Sequence, residues 1–287
     1  MPVCGHAASA EPRAAVPLAV LPGYQSRRGD PAAERNPRHP MPISSSRRLS
    51  WQQAFDAPTH SQIEQERWVL AMCLGRQGGR FAEIGAFDGV LHSNTLFLER
   101  DHGWSGVLVE PNPLLFAKLA ASRSAICLEK AVHREGGQLL SFVASQEIGT
   151  LAEYAEADAY AEHRRQAISE NGLITVSTIT FDEMDAADGQ GGSGFDYVSL
   201  DTEGSELDIL RTIDLSRHAI ALFTIEHNFV EPRREQMRTL LSEACYQRLN
   251  VGFDDWYWHE GHLAARNGGA LPDIAAINAH VKSVYTD

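Results

Sequence analysis

Apolar positions from Trp51 onward come in short runs separated by amphipathic stretches. Largely apolar runs of five to eight residues bounded by turn or polar residues read as strands buried on both faces. They fall at 80–86, 106–110, 125–132, 195–200 and 220–225. Stretches with apolar residues three or four apart read as helices. They fall at 61–74, 94–100, 113–121, 205–213, 233–244 and 274–281, and Pro113 opens its helix at the first turn. Two further strands, at 138–144 and 173–179, flank a charged helical segment at 151–170. The aromatic-rich stretch 246–258 reads as a terminal hairpin. Strands that alternate with helices imply an α/β fold, with a parallel sheet covered on both faces. Ligands then sit beyond the carboxyl ends of the strands.

Composition changes the picture at the N-terminus. Residues 1–50 carry seven Arg against Glu11, Asp30 and Glu34, and eight of the 13 prolines. With a net charge of −13 overall, the remainder carries −17. Residues 1–48 are therefore expected to be a disordered Arg/Pro-rich tail, with one domain over 49–287 and an insertion around 138–180. Met41 is a second candidate start. The apolar run at 14–21 is short, broken by Pro17 and preceded by Glu11, unlike a signal peptide. No run approaches the roughly 20 apolar residues of a membrane span. Four scattered cysteines suggest reduced thiols, and with them a cytoplasmic location. The acidic body argues against nucleic acid as a partner, which calls for a basic face. The oligomeric state is not readable.

Candidate chemistry lies just past the strands. After the first comes Glu83-Ile84-Gly85-Ala86-Phe87-Asp88-Gly89, whose glycines allow close approach of a ligand. After the second comes Glu110-Pro111-Asn112, an acidic residue placed to accept two ribose hydroxyls. The carboxylates of Glu83 and Asp88 would repel a diphosphate and suit a nucleoside with a cationic end. S-adenosylmethionine, with its sulfonium and ammonium, meets that demand. A non-catalytic nucleotide-binding or scaffold module and an NAD-linked oxidoreductase are the rival classes.

The Glu83–Gly89 motif, with Ser93-Asn94-Thr95 and Gly103-Trp104-Ser105-Gly106-Val107-Leu108-Val109-Glu110-Pro111-Asn112-Pro113, resembles the FkbM family of S-adenosylmethionine-dependent methyltransferases. So do Ser199-Leu200-Asp201-Thr202-Glu203-Gly204-Ser205-Glu206 and Thr224-Ile225-Glu226-His227-Asn228. The resemblance implies a Rossmann-like sheet with an antiparallel C-terminal strand, and O-methylation of a small-molecule or glycan acceptor. It places Glu83, Gly85 and Asp88 at the methionine end, Glu110 at the ribose, and Asn112 and Ala131 beside the adenine, with Ala86, Ser93, Asn94 and Pro111 also at the cofactor.

The fourth and fifth strands deliver further polar residues to the same crevice. Asp201, Glu226 and Asn228 form an oxygen-rich set that suits Mg²⁺, and Asp201 would also face the sulfonium. Asp201, Glu226 and His227 are the expected catalytic group, with His227 or a metal-bound water taking the acceptor's proton. A metal-free scheme with His227 alone is the second choice, and His92 and His133 are runners-up. Glu206 reads as a helix-opening residue. Phe253, Trp256, Tyr257 and Trp258 read as a packed hairpin before a sugar-stacking wall.

Overall fold

The structure is a computed structural model that describes residues 49–285. The expected tail at 1–48 lies outside the described residues. The chain begins with α1 (Trp51–Phe55), α2 (Gln65–Met72), β1 (Arg80–Ile84), α3 (Leu96–His102), β2 (Ser105–Val109), α4 (Pro113–Ser122) and β3 (Ile126–Leu128). Next come β4 (Ala131–Val132), β5 (Leu139–Val143), β6 (Thr150–Leu151), α5 (Ala161–Ser169), β7 (Leu173–Ile179) and α6 (Phe181–Ala186). The chain then runs through β8 (Tyr197–Leu200), α7 (Glu206–Leu210), β9 (Leu222–Glu226), α8 (Glu231–Glu243), β10 (Gln247–Val251), β11 (Asp254–Trp258), α9 (Glu260–Arg266) and α10 (Ile274–Tyr285).

Seven strands form one sheet in the order β10-β11-β9-β8-β1-β2-β3. β1 pairs in parallel with both β2 and β8, and β8 pairs in parallel with β9. β11 runs antiparallel to β9 and to β10. This is the Rossmann-like, mostly parallel sheet with an antiparallel C-terminal strand. β1, β8 and β9 are buried at every position, which is why their sequences are mostly apolar on both faces, with the polar residues Glu83, Ser199 and Thr224 confined to one of them.

Local signals explain the boundaries. Asn112 caps α4 by accepting the Leu114 N–H at 3.1 Å, with Pro113 at the first turn. Ser50 with Gln53 and Thr180 with Glu183 make reciprocal capping boxes at α1 and α6, a signature readable in sequence. The expected strand over 125–132 divides instead. β3 stays on the main sheet beside β2, while β4 leaves to join a second sheet of order β4-β7-β5-β6. Lys130, in the break, donates to the Ser177 hydroxyl at 2.8 Å. The charged segment 151–170 is helical only in α5 and in a short 3-10 turn before it.

Two apolar cores sandwich the main sheet. Phe81, Tyr197, Leu222 and Trp256 face α2, α9 and α10. Ala82, Ile84, Val198, Leu200, Phe223 and Ile225 face α6, α7 and α8. Phe253, Trp256, Tyr257 and Trp258 are all buried in these cores, and Trp256 packs on Trp68 with ring centroids 5.0 Å apart. The aromatic hairpin is core, not a stacking wall. Cys73, Cys127 and Cys245 are free thiols. Among the described residues, no helix is long and apolar enough to cross a membrane.

Candidate active site

Strand periodicity sorts the polar residues of the sheet. In register, Glu83 of β1, Ser199 of β8 and Thr224 of β9 lie side by side, on the face that carries Phe81, Tyr197 and Leu222. One step toward the carboxyl ends, Gly85, Asp201 and Glu226 continue that row, and Asp254 of β11 pairs with Glu226.

Glu83 does not offer an open carboxylate to the crevice. Its oxygens accept from the Asn94 N–H at 2.7 Å, the Ser93 hydroxyl at 3.1 Å and the Thr95 hydroxyl. Arg123 lies 3.6 Å from the same group. Arg123 is fully buried and also donates to the Gly89 carbonyl at 3.2 Å and the Ser93 hydroxyl at 3.0 Å. Glu83 and Arg123 thus shape the loop that follows β1. Asp88 is half-buried, and one of its oxygens accepts the N–H groups of Val90 and Leu91 at 2.9 and 2.8 Å. Gly85 and Ala86 both donate their N–H to the Val109 carbonyl at 3.0 Å, which locks this turn against β2.

Three observations here fit S-adenosylmethionine. Gly85 has φ +90° and leaves no room for a side chain beside the Asp201 carbonyl. Glu110 is buried at the tip of β2, accepting the Phe87 N–H at 3.1 Å on one oxygen and the Asn112 N–H at 2.8 Å on the other. Each oxygen keeps a lone pair for a ribose hydroxyl. Burial raises its carboxyl to about 7. Asn94, whose amide nitrogen donates to Ser199 at 3.0 Å, keeps a buried side-chain oxygen without a partner, an acceptor available to a ligand ammonium. Asn112 is buried and Pro111 half-buried beside Glu110, and Ala131 is buried on β4.

At the tips of β8 and β9, Asp201, Glu203 and Glu226 bring carboxylate oxygens within 4.8 Å of one another. Desolvation raises Asp201 to about 6, with Glu206 and Glu83 adding repulsion. Glu203 and Glu226 stand well above the ordinary carboxylate range, first from burial and then from repulsion by Asp201. Two cationic or amide donors temper this charge. Arg164, fully buried, donates to Glu203 at 3.0 Å while gripping Asp158 through two nitrogens. The Asn228 side-chain nitrogen donates to Glu226 at 2.8 Å and Glu203 at 3.2 Å. Asn228 thus turns its donor, not its oxygen, toward the cluster, and the third carboxylate beside Asp201 and Glu226 is Glu203. Glu206 spends its carboxylate on the Thr202 and Gly204 N–H groups, in line with a helix-opening role. Phe87, His92, Glu203, Asn228 and Phe229 all have φ between +43° and +60°. Such left-handed non-glycine residues are costly and cluster where function fixes a loop.

His227 parts from this cluster. It follows Glu226 directly, so it leaves the strand on the opposite face, the one carrying Phe223 and Ile225. Its Nδ1 accepts the Phe229 N–H at 3.1 Å, so the ring proton sits on Nε2. Burial, reinforced by Arg234, lowers its pKa to about 4. The expected general base is therefore a neutral ring whose free edge is a donor. His92 is half-buried, and His133 lies 3.9 Å from Glu153; neither is in the carboxylate cluster. Sequence reasoning passed over Arg123, Arg164 and Asp254. Asp254 accepts from Gln65 at 3.0 Å and from the Trp256 ring at 3.3 Å.

A glycine-bearing turn after β1, an acidic residue ending β2 and a carboxylate cluster ending β8 and β9 sit at the carboxyl edge of a Rossmann-like sheet, where such folds bind ligands. The methyltransferase FkbM domain model matches residues 83–248, more than half of the chain, which belongs to that family of S-adenosylmethionine-dependent methyltransferases. The chain is similar in fold to an FkbM methyltransferase from Methylobacillus flagellatus KT, at 12% identity and TM-score 0.38, over 73% of this chain and 58% of that one. It is also similar to a delta-N METTL16 methyltransferase domain, at 12% identity and TM-score 0.32, over 68% and 79% of the two chains. A fibrillarin/Nop5p complex matches at 12% identity and TM-score 0.31, over 62% and 70%. No curated protein matches the chain in sequence.

Proposed function

We propose that the protein transfers a methyl group to a hydroxyl oxygen of a small-molecule or sugar-containing acceptor. The observation that carries this reading is the convergence of Asp201 and Glu226 on the face of the sheet that Gly85 occupies. S-adenosylmethionine supplies an electrophilic methyl group, so the protein's task is to align the acceptor oxygen and remove its proton. Alignment alone contributes up to about 7–11 kcal/mol in favourable cases. Gly85, Asp88 and Asn94 would hold the methionyl end, Glu110 the ribose hydroxyls, and Asn112 with Ala131 the adenine side.

Asp201 and Glu226 are the proton acceptors in this scheme. Carboxyls this close do not both ionise freely, so they titrate as a pair and keep one proton between them. With Asp201 at about 6, the pair remains basic near neutral pH and close to the pKa best suited to proton transfer. A divalent ion such as Mg²⁺ fits the oxygen-only donor set of Asp201, Glu203 and Glu226 and would neutralise charge there. The acidic body supports an acceptor other than nucleic acid.

Calorimetry with S-adenosylhomocysteine, on wild type and Glu110→Ala, tests the cofactor half. Binding by wild type and a loss of at least tenfold in the variant are expected; no binding by wild type removes the enzyme reading. Transfer of labelled methyl into hydroxylated acceptors tests the rest, with loss expected in Asp201→Ala. Chelation followed by Mg²⁺ add-back decides whether the cluster works with a metal.

A further inference from the structure

The insertion between β5 and β7 docks on the tip of β8 through its own side chains. The Thr150 hydroxyl donates to the Thr202 carbonyl at 3.3 Å, and Arg164 of α5 donates to Glu203 at 3.0 Å. Gly204 lies against Tyr154, where an added methyl group would stand 3.1 Å from the Tyr154 Cβ. The insertion thus brings its residues to the carboxylate cluster, and Arg164 marks the face of α5 that is turned toward it.

Tyr160 shares that face. It precedes Arg164 by four residues, about one helical turn, and its carbonyl accepts the Arg164 N–H at 3.1 Å. The Arg164 guanidinium lies 5.9 Å from the centre of the Tyr160 ring. The Tyr160 N–H donates to Asp158 at 2.8 Å, which fixes its backbone at the start of α5. Burial raises the phenol to about 12, with Glu203 and then Glu226 adding repulsion. The ring therefore stands within electrostatic reach of the cluster and keeps its proton at neutral pH. Its hydroxyl has no hydrogen-bond partner among the described residues. Tyr160, Asp201 and Asn228 are all half-buried, so this side of the cluster opens to solvent.

Donors nearby are already committed. Arg164 and the Asn228 side-chain nitrogen serve the carboxylates themselves. The ionised carboxylates only accept. An acceptor molecule entering here finds groups that take its proton, and in Tyr160 a neutral group that can donate to it. Donation to the attacking oxygen would draw on the lone pair that methyl transfer needs. The phenol therefore suits another oxygen of the same molecule.

We propose that Tyr160 is an acceptor-binding residue whose hydroxyl donates to a second oxygen of the acceptor, beside the one that is methylated. The proposal rests on the methyltransferase reading above and deepens it, since it requires an acceptor with more than one oxygen. As the acceptor oxygen takes the methyl group, the electron pair of the breaking carbon–sulfur bond stays on sulfur. The hydroxyl proton passes to the Asp201–Glu226 pair, and Tyr160 keeps its own.

The test compares the full chain and Tyr160→Phe with two probes, methyl glucoside and cyclohexylmethanol. Both carry a hydroxymethyl group on a six-membered ring, and the second lacks the other oxygens. In wild type saturated with S-adenosylhomocysteine, tyrosine labelled with ¹³C at Cζ is expected to show a shift of the Tyr160 signal with the glucoside and none with cyclohexylmethanol. Labelled methyl transfer should favour the glucoside at least tenfold in kcat/KM. Tyr160→Phe is expected to erase that preference mainly through a KM at least tenfold higher. Its Tm and its affinity for S-adenosylhomocysteine should match wild type, because the lost hydroxyl has no partner among the described residues. No Tyr160 shift with the glucoside, the same shift with both probes, or a preference that survives Tyr160→Phe overturns the proposal. Absence of S-adenosylhomocysteine binding by wild type overturns the methyltransferase reading instead, so the two failures are distinguishable.

Discussion

Gly85 stands against the backbone carbonyl of Asp201 so closely that a methyl group on its α-carbon would overlap that oxygen. The Asp201 N–H in turn donates to the Ile84 carbonyl at 3.0 Å. The turn after β1 and the tip of β8 are therefore fixed to each other through backbone, and a change in one moves the other.

Gly85→Ala meets both a φ of +90° and this overlap. The strain alone is worth on the order of 1–3 kcal/mol, and the overlap must displace the Asp201 backbone. The variant is expected to unfold at lower urea concentration and to bind S-adenosylhomocysteine at least tenfold more weakly. Unchanged affinity by calorimetry would show that the turn does not contact the cofactor.

The Glu110 carboxyl, raised to about 7 by burial, gives cofactor binding a pH dependence. Ribose hydroxyls donate to the ionised form, so below pH 7 the site must first lose a proton. Affinity for S-adenosylhomocysteine is expected to rise about tenfold per pH unit up to pH 7 and to level off above it. Glu110→Gln should bind weakly with no such slope. A flat wild-type profile between pH 5.5 and 8.5 would separate Glu110 from the ribose.

These two residues were legible because both lie just beyond apolar runs, where chain punctuation marks the sheet's ligand-binding edge. Glu226 and His227 were legible as neighbours but not as partners. Their adjacency in sequence is what puts them on opposite faces, a consequence of the two-residue period of a strand. Arg164 gave no signal, because its partner Glu203 lies 39 residues away and nothing in a charged helix tells a buried arginine from a solvated one. Asp254 was hidden in an aromatic hairpin whose burial its sequence did show. The strand over 125–132 divided because the short β4 gains its pairing from β7, 47 residues beyond Ala131 at Thr178.

Arg123 is expected to act on binding from beneath the loop. Its guanidinium holds Gly89, Ser93 and Thr95 at 2.8–3.2 Å and pairs with Glu99 at 2.6 Å. Removing it leaves Glu83 and Glu99 without their cation, a loss of about 3–5 kcal/mol for a buried pair. Arg123→Ala should lower stability by about that amount in urea titration. Arg123→Lys should restore part of it, since an ammonium cannot reproduce the planar fork. Equal stability of wild type and Arg123→Ala would rule out the clamp.

Buried carboxyls set the pH profile of stability. Burial raises Asp254 to about 8, with repulsion from Asp201 adding to it, and burial raises Glu66 to about 7. The folded chain keeps these protons at a pH where the unfolded chain has lost them. Stability therefore falls as pH rises from about 5 through 8, at up to about 1.4 kcal/mol per pH unit for each group. Thermal melts should show a lower Tm at pH 8.5 than at pH 5.5. Asp254→Asn, whose amide oxygen can still accept from Gln65 and Trp256, should make the fall shallower. A Tm that rises over this range would contradict the assignment.

The carboxylate cluster yields a prediction that needs no acceptor. Asp201, Glu203 and Glu226 are held within 4.8 Å, with the Arg164 guanidinium on Glu203. Their mutual repulsion is relieved either by protons or by a cation, so the two compete. If Mg²⁺ binds there, millimolar Mg²⁺ should raise Tm, and more at pH 8 than at pH 5.5, where protons already relieve the charge. Saturation at 10 to 100 times Kd is worth about 1.4–2.7 kcal/mol, a shift of roughly 3–10 °C for a domain of this size. Glu203→Gln removes one charge and one ligand, so it should raise Tm without metal and abolish most of the Mg²⁺ response. His227→Gln, on the other face of the sheet, should keep that response in full. A Tm indifferent to Mg²⁺ at both pH values would leave proton sharing between Asp201 and Glu226 as the way the cluster carries its charge.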